Sequence, residues 1–149
     1  MQLRSGAPRI FIAEDDPGIV ELLTARLEAA GYETRSAKNG WRALEGIQAM
    51  VPNAVLLDIN MPGMDGFAVL TALRQARHLA AIPVLMLTAR GAREDVAKAI
   101  GLGAKDYLTK PFDDQELLGR VARLVRRRSS GGMPPPTPQG GGGNDALMI

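Results

Sequence analysis

Glu14, Asp15 and Asp16 stand in an unbroken row directly after the apolar run RIFIA, and a fourth acid, Asp58, follows the run AVLL. Each has an ordinary explanation. Acids favour helix N-termini, Asp16 before Pro17 suits the cap of a proline-started helix, and Asp58 alone could be a turn or capping aspartate. Thr88 and Lys110, which also close short strand-like runs, could singly be a strand residue and a solvated cation. Together these side chains share one chemistry. Carboxylates at close range raise one another's pKa unless a cation joins them. Oxygen ligands without His or Cys suit Mg²⁺, which takes one or two carboxylates plus phosphate. A carboxylate can also be a nucleophile and form an aspartyl phosphate. In-line phosphoryl transfer needs metal and ammonium charge on the equatorial oxygens more than a base. Lys110 offers the ammonium, and Thr88 a hydroxyl donor.

The elements that must position these groups alternate along the chain. Strand-like runs fall at RIFIA (9–13), YETRSA (32–37), NAVLLD (53–58), IPVLMLT (82–88) and KDYLT (105–109). Helical spacing of apolar residues runs through 16–31, 39–50, 64–77, 93–104 and 113–128. Asp16, Asn39 and Asp65 are placed to cap the first three helices, and Gly31 to end the first. Strands that are apolar at consecutive positions are buried on both faces, and with helical crossovers they make a parallel sheet covered on both sides. The expected fold is therefore α/β, a doubly wound (βα)₅ sheet. Alternation alone leaves the strand order open. Ligands of such sheets sit outside the carboxyl ends of the strands, where Glu14, Asp15, Asp58, Thr88 and Lys110 all fall.

Composition narrows the alternatives. The 149 residues contain no Cys and one His, which excludes disulfides, thiolate metal sites and any centre needing two imidazoles. No apolar stretch is long enough to span a bilayer, and the N-terminal residues lack the pattern of a secretory signal, so a cytoplasmic protein with no membrane partner is expected. Five of the 18 basic residues lie in 120–128; without them 13 bases face 16 acids. That basic patch could touch nucleic acid phosphates, although cations at a helix C-terminus explain it as well. The composition changes after Arg128. Residues 129–149 carry six Gly and four Pro and form an expected linker or tail beyond a domain at 8–128. Their apolar end, ALMI, could begin a further domain. Trp41 is expected to pack locally with Met50, and His78 to face solvent.

With these residues in place, the sequence resembles the response-regulator receiver domain of two-component signalling. IFIAEDD, AVLLDINMPGMDGF, IPVLMLTA and GAKDYLTKPF each resemble that family's motifs, in order and at its spacings, over roughly residues 8–128. The resemblance implies a flavodoxin-like fold with strand order 2-1-3-4-5. It implies Asp58 as phosphoacceptor and a Mg²⁺ site in which Asp15 ligates directly, Glu14 acts mainly through water, and the Asn60 backbone carbonyl contributes. Thr88 and Lys110 would contact phosphoryl oxygens, Tyr107 would be the aromatic switch, and the Lys110–Pro111 peptide would be cis.

The activity implied is a switch: a sensor histidine kinase or phosphotransfer protein donates a phosphoryl group to Asp58, and the face of the fourth helix, fifth strand and fifth helix responds. That face could form a homodimer. Glu116, Asp106 and Arg120 resemble charges used for dimerisation in a winged-helix DNA-binding subfamily, whereas Lys105 and Val96 depart from its pattern. Ile100 and Leu117 are candidate apolar contacts on that face. DNA would be reached only through an output domain outside this chain, and a stand-alone phosphorelay receiver is the alternative. A Mg²⁺-dependent aspartyl-phosphate phosphatase is less favoured, since Asn60 stands where such enzymes carry a second acid. A flavin-binding module would need a phosphate-cradling loop where three acids stand.

Overall fold

The computed structural model describes residues 6–89 and 92–129. Its elements alternate as β1 (Arg9–Ala13), α1 (Pro17–Ala29), β2 (Glu33–Ala37), α2 (Gly40–Met50), β3 (Ala54–Asp58), α3 (Gly66–Gln75), β4 (Val84–Ala89), α4 (Arg93–Gly101), β5 (Asp106–Lys110) and α5 (Asp114–Ser129). All strand pairs are parallel, in the order β2-β1-β3-β4-β5. This is the doubly wound, flavodoxin-like arrangement that the motifs imply. Apart from Ser129, the expected tail lies outside the described residues.

The central strands are apolar at successive positions because each feeds two cores. Phe11, Val55, Leu57, Val84 and Met86 point into a layer shared with Ile47 of α2 and Val69 and Leu73 of α3. Ile10, Ile12, Leu56, Leu85 and Leu87 point the other way, onto Leu23 and Leu27 of α1 and Leu117, Val121 and Leu124 of α5. A period of two along the strand thus serves two helix layers. The outer strands bury less: β2 has no fully buried residue, and Leu108 alone is buried in β5.

Local signals set the boundaries. Asp16 accepts hydrogen bonds from the Gly18 and Ile19 amides, Asn39 from Arg42 and Asp65 from Ala68, as the capping pattern predicts. Gly31, at φ 99°, takes the left-handed position just past the α1 cap. Several boundaries differ from the sequence expectation. β2 starts at Glu33 because the Tyr32 amide still closes α1 through Leu27 O. β3 starts at Ala54 because Asn53 exchanges both its amide and its side-chain oxygen with Arg9. β4 starts at Val84, just after Pro83, which has no N–H to give a ladder. α4 ends at Gly101 rather than Ala104, with Gly103 at φ 109°. The expected pairing of Trp41 with Met50 does not form: Met50 is in the core while Trp41 is 65% exposed. Gly40, Ala43, Ile47 and Met50 make the inward stripe of α2, and Trp41, one step from Gly40, is turned about 100° away from it. His78 is exposed, as expected.

Candidate functional site: an acidic pocket at the strand ends

Parallel strands deliver their carboxyl ends to one rim, so residues far apart in sequence meet there. β1 hands on Glu14, β3 ends in Asp58, β4 carries Thr88 near its end and β5 ends in Lys110. A cavity of about 520 Å³ opens at this rim, lined by Glu14, Asp15, Asp58, Asn60 and Lys110 among others. Carboxylate oxygens of Glu14, Asp15 and Asp58 lie within 4.8 Å of one another. Glu14 and Asp58 are buried, and Asp15 is exposed.

One cation answers the two buried acids. Lys110 Nζ stands 2.9 Å from Glu14 Oε1 and 3.5 Å from Asp58 Oδ1. Backbone amides supply the rest: Asp16 N donates to Glu14 Oε2 and Asn60 N to Asp58 Oδ1. This is insufficient. Burial first, and then the neighbouring Glu14 carboxylate, push the Asp58 pKa up to about 6, against the opposing pull of Lys110 and the Asn60 amide. For Lys110, burial works to lower the pKa, but the Glu14 and Asp58 carboxylates outweigh it and the net shift is upward.

Three buried side-chain polar atoms have no hydrogen bond among the described residues: Arg120 Nε on α5, Thr88 Oγ1, and Glu14 Oε1, the last holding only its ion contact with Lys110. Buried hydroxyls are ordinarily satisfied. A surplus of acceptor oxygens in the acidic pocket suits a hard cation, and an unsatisfied hydroxyl near the end of β4 on the same rim suits an anion. Thr88 is not among the residues lining the acidic cavity; it lines a second cavity of about 360 Å³, between α4 and β5, together with Val96, Tyr107 and Thr109. Tyr107 is 39% exposed and turned outward there. The Lys110–Pro111 peptide is cis, as the motif implies.

Two glycines shape the rim, and their role was not legible in the sequence. A Cβ on Gly66 would collide with the Asp58 carbonyl, and one on Gly40 with the Met64 carbonyl. Gly66 thereby seats the start of α3 directly on the loop after Asp58. Its place in MPGMDGF was the available signal.

The charges considered for dimerisation form a connected set away from this pocket. Arg120 Nη1 is 2.7 Å from Asp106 Oδ1, Arg120 Nη2 is 3.7 Å from Glu116, and the guanidinium lies 5.8 Å from the Tyr107 ring centroid. Ile100 is exposed nearby. Leu117 is fully buried against the sheet, so the expectation that it contributes to that surface is corrected.

Residues 10–122 match the family model described as the response regulator receiver domain. The chain is 45% identical over 120 residues to the DNA-binding dual master transcriptional regulator RpaA of Synechocystis sp., covering 80% of this chain and 50% of that one. It is 40% identical over 121 residues to the transcriptional regulatory protein PrrA of Mycobacterium tuberculosis, covering 81% and 51%. The chain therefore spans about half the length of these curated relatives. Among solved structures, the chemotaxis protein CheY4 of Vibrio cholerae superposes with a TM-score of 0.76 at 30% identity, over 80% of this chain and 99% of that one.

Proposed function

The chain belongs to the response regulator receiver domain family, and from that membership we propose that Asp58 is its phosphoacceptor, receiving a phosphoryl group from a histidine kinase or phosphotransfer protein. The observation that carries this reading is the placement of Asp58: buried, crowded by Glu14 and within reach of Lys110 Nζ. A carboxylate oxygen of Asp58 attacks phosphorus in line, the P–N bond to the donor imidazole breaks, and its electron pair stays on the imidazole nitrogen. Lys110 sets a positive charge beside the transferred oxygens, and the unsatisfied Thr88 hydroxyl is free to donate to one of them.

Glu14, Asp15 and Asp58, with the Asn60 backbone carbonyl, are the residues that would hold Mg²⁺. Their all-oxygen donor set and uncompensated negative charge fit that ion. When bound, it neutralises charge on the phosphoryl oxygens. The reaction serves signalling rather than metabolic turnover, with the domain assisting only its own phosphorylation and dephosphorylation.

Phosphorylation adds roughly −1.5 to −2 charge next to Thr88. Movement of Thr88 toward it would vacate space beside the inter-element cavity into which Tyr107 can turn, passing the signal to the α4–β5–α5 face. The exposed Ile100 and the Asp106–Arg120–Glu116 set support that face as a homodimer contact. In the relatives named as DNA-binding or transcriptional regulators, the matched region makes up only about half of the protein. Those relatives support a DNA-binding output domain following a receiver at 8–128 and a linker at 129–149, in a cytoplasmic protein. No helix among the described residues is long and apolar enough to cross a membrane.

Incubation with acetyl phosphate, with and without Mg²⁺, followed by mapping of the modified residue, tests the assignment. Labelling should depend on the metal and vanish in Asp58→Asn. Full labelling of that variant would overturn it.

A further inference from the structure

A cavity of about 580 Å³ lies on the opposite side of α2 from the sheet centre, between that helix and the end strand β2. Its size is that of a small-molecule site. Three cations line it: Arg35 from β2, Lys38 from the following loop and Arg42 from the first turn of α2. Among the described residues none of the three makes an ion pair or hydrogen bond through its side chain. The one acid in the lining, Glu45, is likewise unpaired and leaves the cavity with a net positive charge.

Two further features point to a ligand. The first turn of α2 contains no acid. Lys38 and Arg42 instead place positive charge at the end of the helix where the aligned peptide dipoles are already positive. An anion at that end removes the conflict. The floor is apolar, made by Ala37, Gly46 and Ala49 over Phe11. Gly46 lies so close to the Phe11 ring that a Cβ would collide with it. The Phe11 ring takes the place a side chain would fill, so helix and ring pack closely beneath the cavity.

We propose that this groove binds a phosphorylated small molecule with a flat apolar body, of the nucleotide class. The phosphates face Arg35, Lys38 and Arg42, and the ring system covers the floor at Ala37, Gly46 and Ala49. The site is separate from Asp58 and takes its ligand without the acidic pocket.

The test is a ¹H–¹⁵N NMR titration of the full chain in EDTA, so that the acidic pocket holds no metal. ADP is the probe, and pyrophosphate is the probe lacking the ring. ADP should shift the amides of Ala37, Arg42, Gly46 and Ala49 saturably, with half-saturation at or below about 1 mM. Pyrophosphate should bind several-fold more weakly. Arg35→Gln with Arg42→Gln should weaken ADP about tenfold or more, since each removes a charge-assisted contact. All three cations are exposed, so the variants should keep the dispersed spectrum. If the double variant does not, Lys38→Gln alone decides, with a several-fold loss expected. No saturable shift up to roughly 10 mM ADP, an unchanged curve in the variants, or pyrophosphate matching ADP would each overturn the proposal.

Discussion

Two clusters of charge in this domain each join one Asp and one Glu to a single cation, and they differ in where they sit. At the rim, Glu14 and Asp58 are buried with Lys110 between them. On the α4–β5–α5 face, Asp106, Glu116 and Arg120 form their contacts near solvent. In the first, two carboxylates share one ammonium in a low dielectric, and the shortage appears as a raised Asp58 pKa. In the second, one guanidinium meets two acids that are themselves partly open to water, which screens them. Only Arg120 Nε is left buried there without a hydrogen bond among the described residues. Burial turns a charge imbalance into a demand for a ligand, whereas exposure lets solvent absorb it.

The sharpest way to break this contrast is to remove the central cation of each cluster. Lys110→Ala leaves two buried carboxylates unanswered and should cost about 3 kcal/mol at neutral pH, the lower end of the range for a broken buried pair, because Lys110 is partly exposed. Urea denaturation at pH 7 checks it. A loss below about 1 kcal/mol would place the rim in the exposed class.

The contrast sharpens with pH. Asp58 titrates near 6 in the folded protein against 3.8 as its ordinary value. Between those values the unfolded chain binds fewer protons at this group than the native one, so its contribution to stability falls as pH rises from about 4 to 6. Metal-free protein should lose denaturation midpoint across that window relative to Asp58→Asn. Saturating Mg²⁺ should restore it, with about 1.4 kcal/mol at ten times its dissociation constant. Parallel pH profiles for the two proteins would contradict the assignment.

Thr88→Val removes an unsatisfied buried hydroxyl at nearly constant volume. It should stabilise the unphosphorylated domain by about 1 kcal/mol, while weakening the response around Tyr107 to beryllium fluoride, read by NMR. Destabilisation would mean that the hydroxyl has a partner in the resting state. The smallest effect is expected for Arg120→Gln, within about 1 kcal/mol by thermal denaturation, and additive with changes at the rim.

Much of the rim was legible because a continuous apolar run that stops at an acid or a hydroxyl marks the carboxyl end of a strand buried on both faces. Asp58 after Val55, Leu56 and Leu57 needs no tertiary information to be placed there. Trp41 was misjudged for want of a helical projection: the inward stripe of α2 passes through Gly40 and Ala43 and leaves the indole outside. The basic groove was hidden for a different reason. Arg35, Lys38 and Arg42 are spaced three and four apart, a helical interval, yet they come from a strand, a loop and a helix, and meet only because β2 ends the sheet.

That terminal position of β2 also bears on how the protein behaves when concentrated. Among the described residues the strand pairs only with β1, and its outer backbone amides and carbonyls face no other strand there. An open edge of this kind can template the addition of another chain. Glu33 and Arg35, both exposed on this short strand and two residues apart on the same face of the sheet, interrupt that hazard, because a foreign strand laid alongside must answer two opposite charges in a fixed register. Substituting valine at both positions should leave the native fold intact and lower the concentration at which copies associate, measured by light scattering. Arg35 thus meets two demands, lining a groove and keeping the edge of the sheet from becoming adhesive.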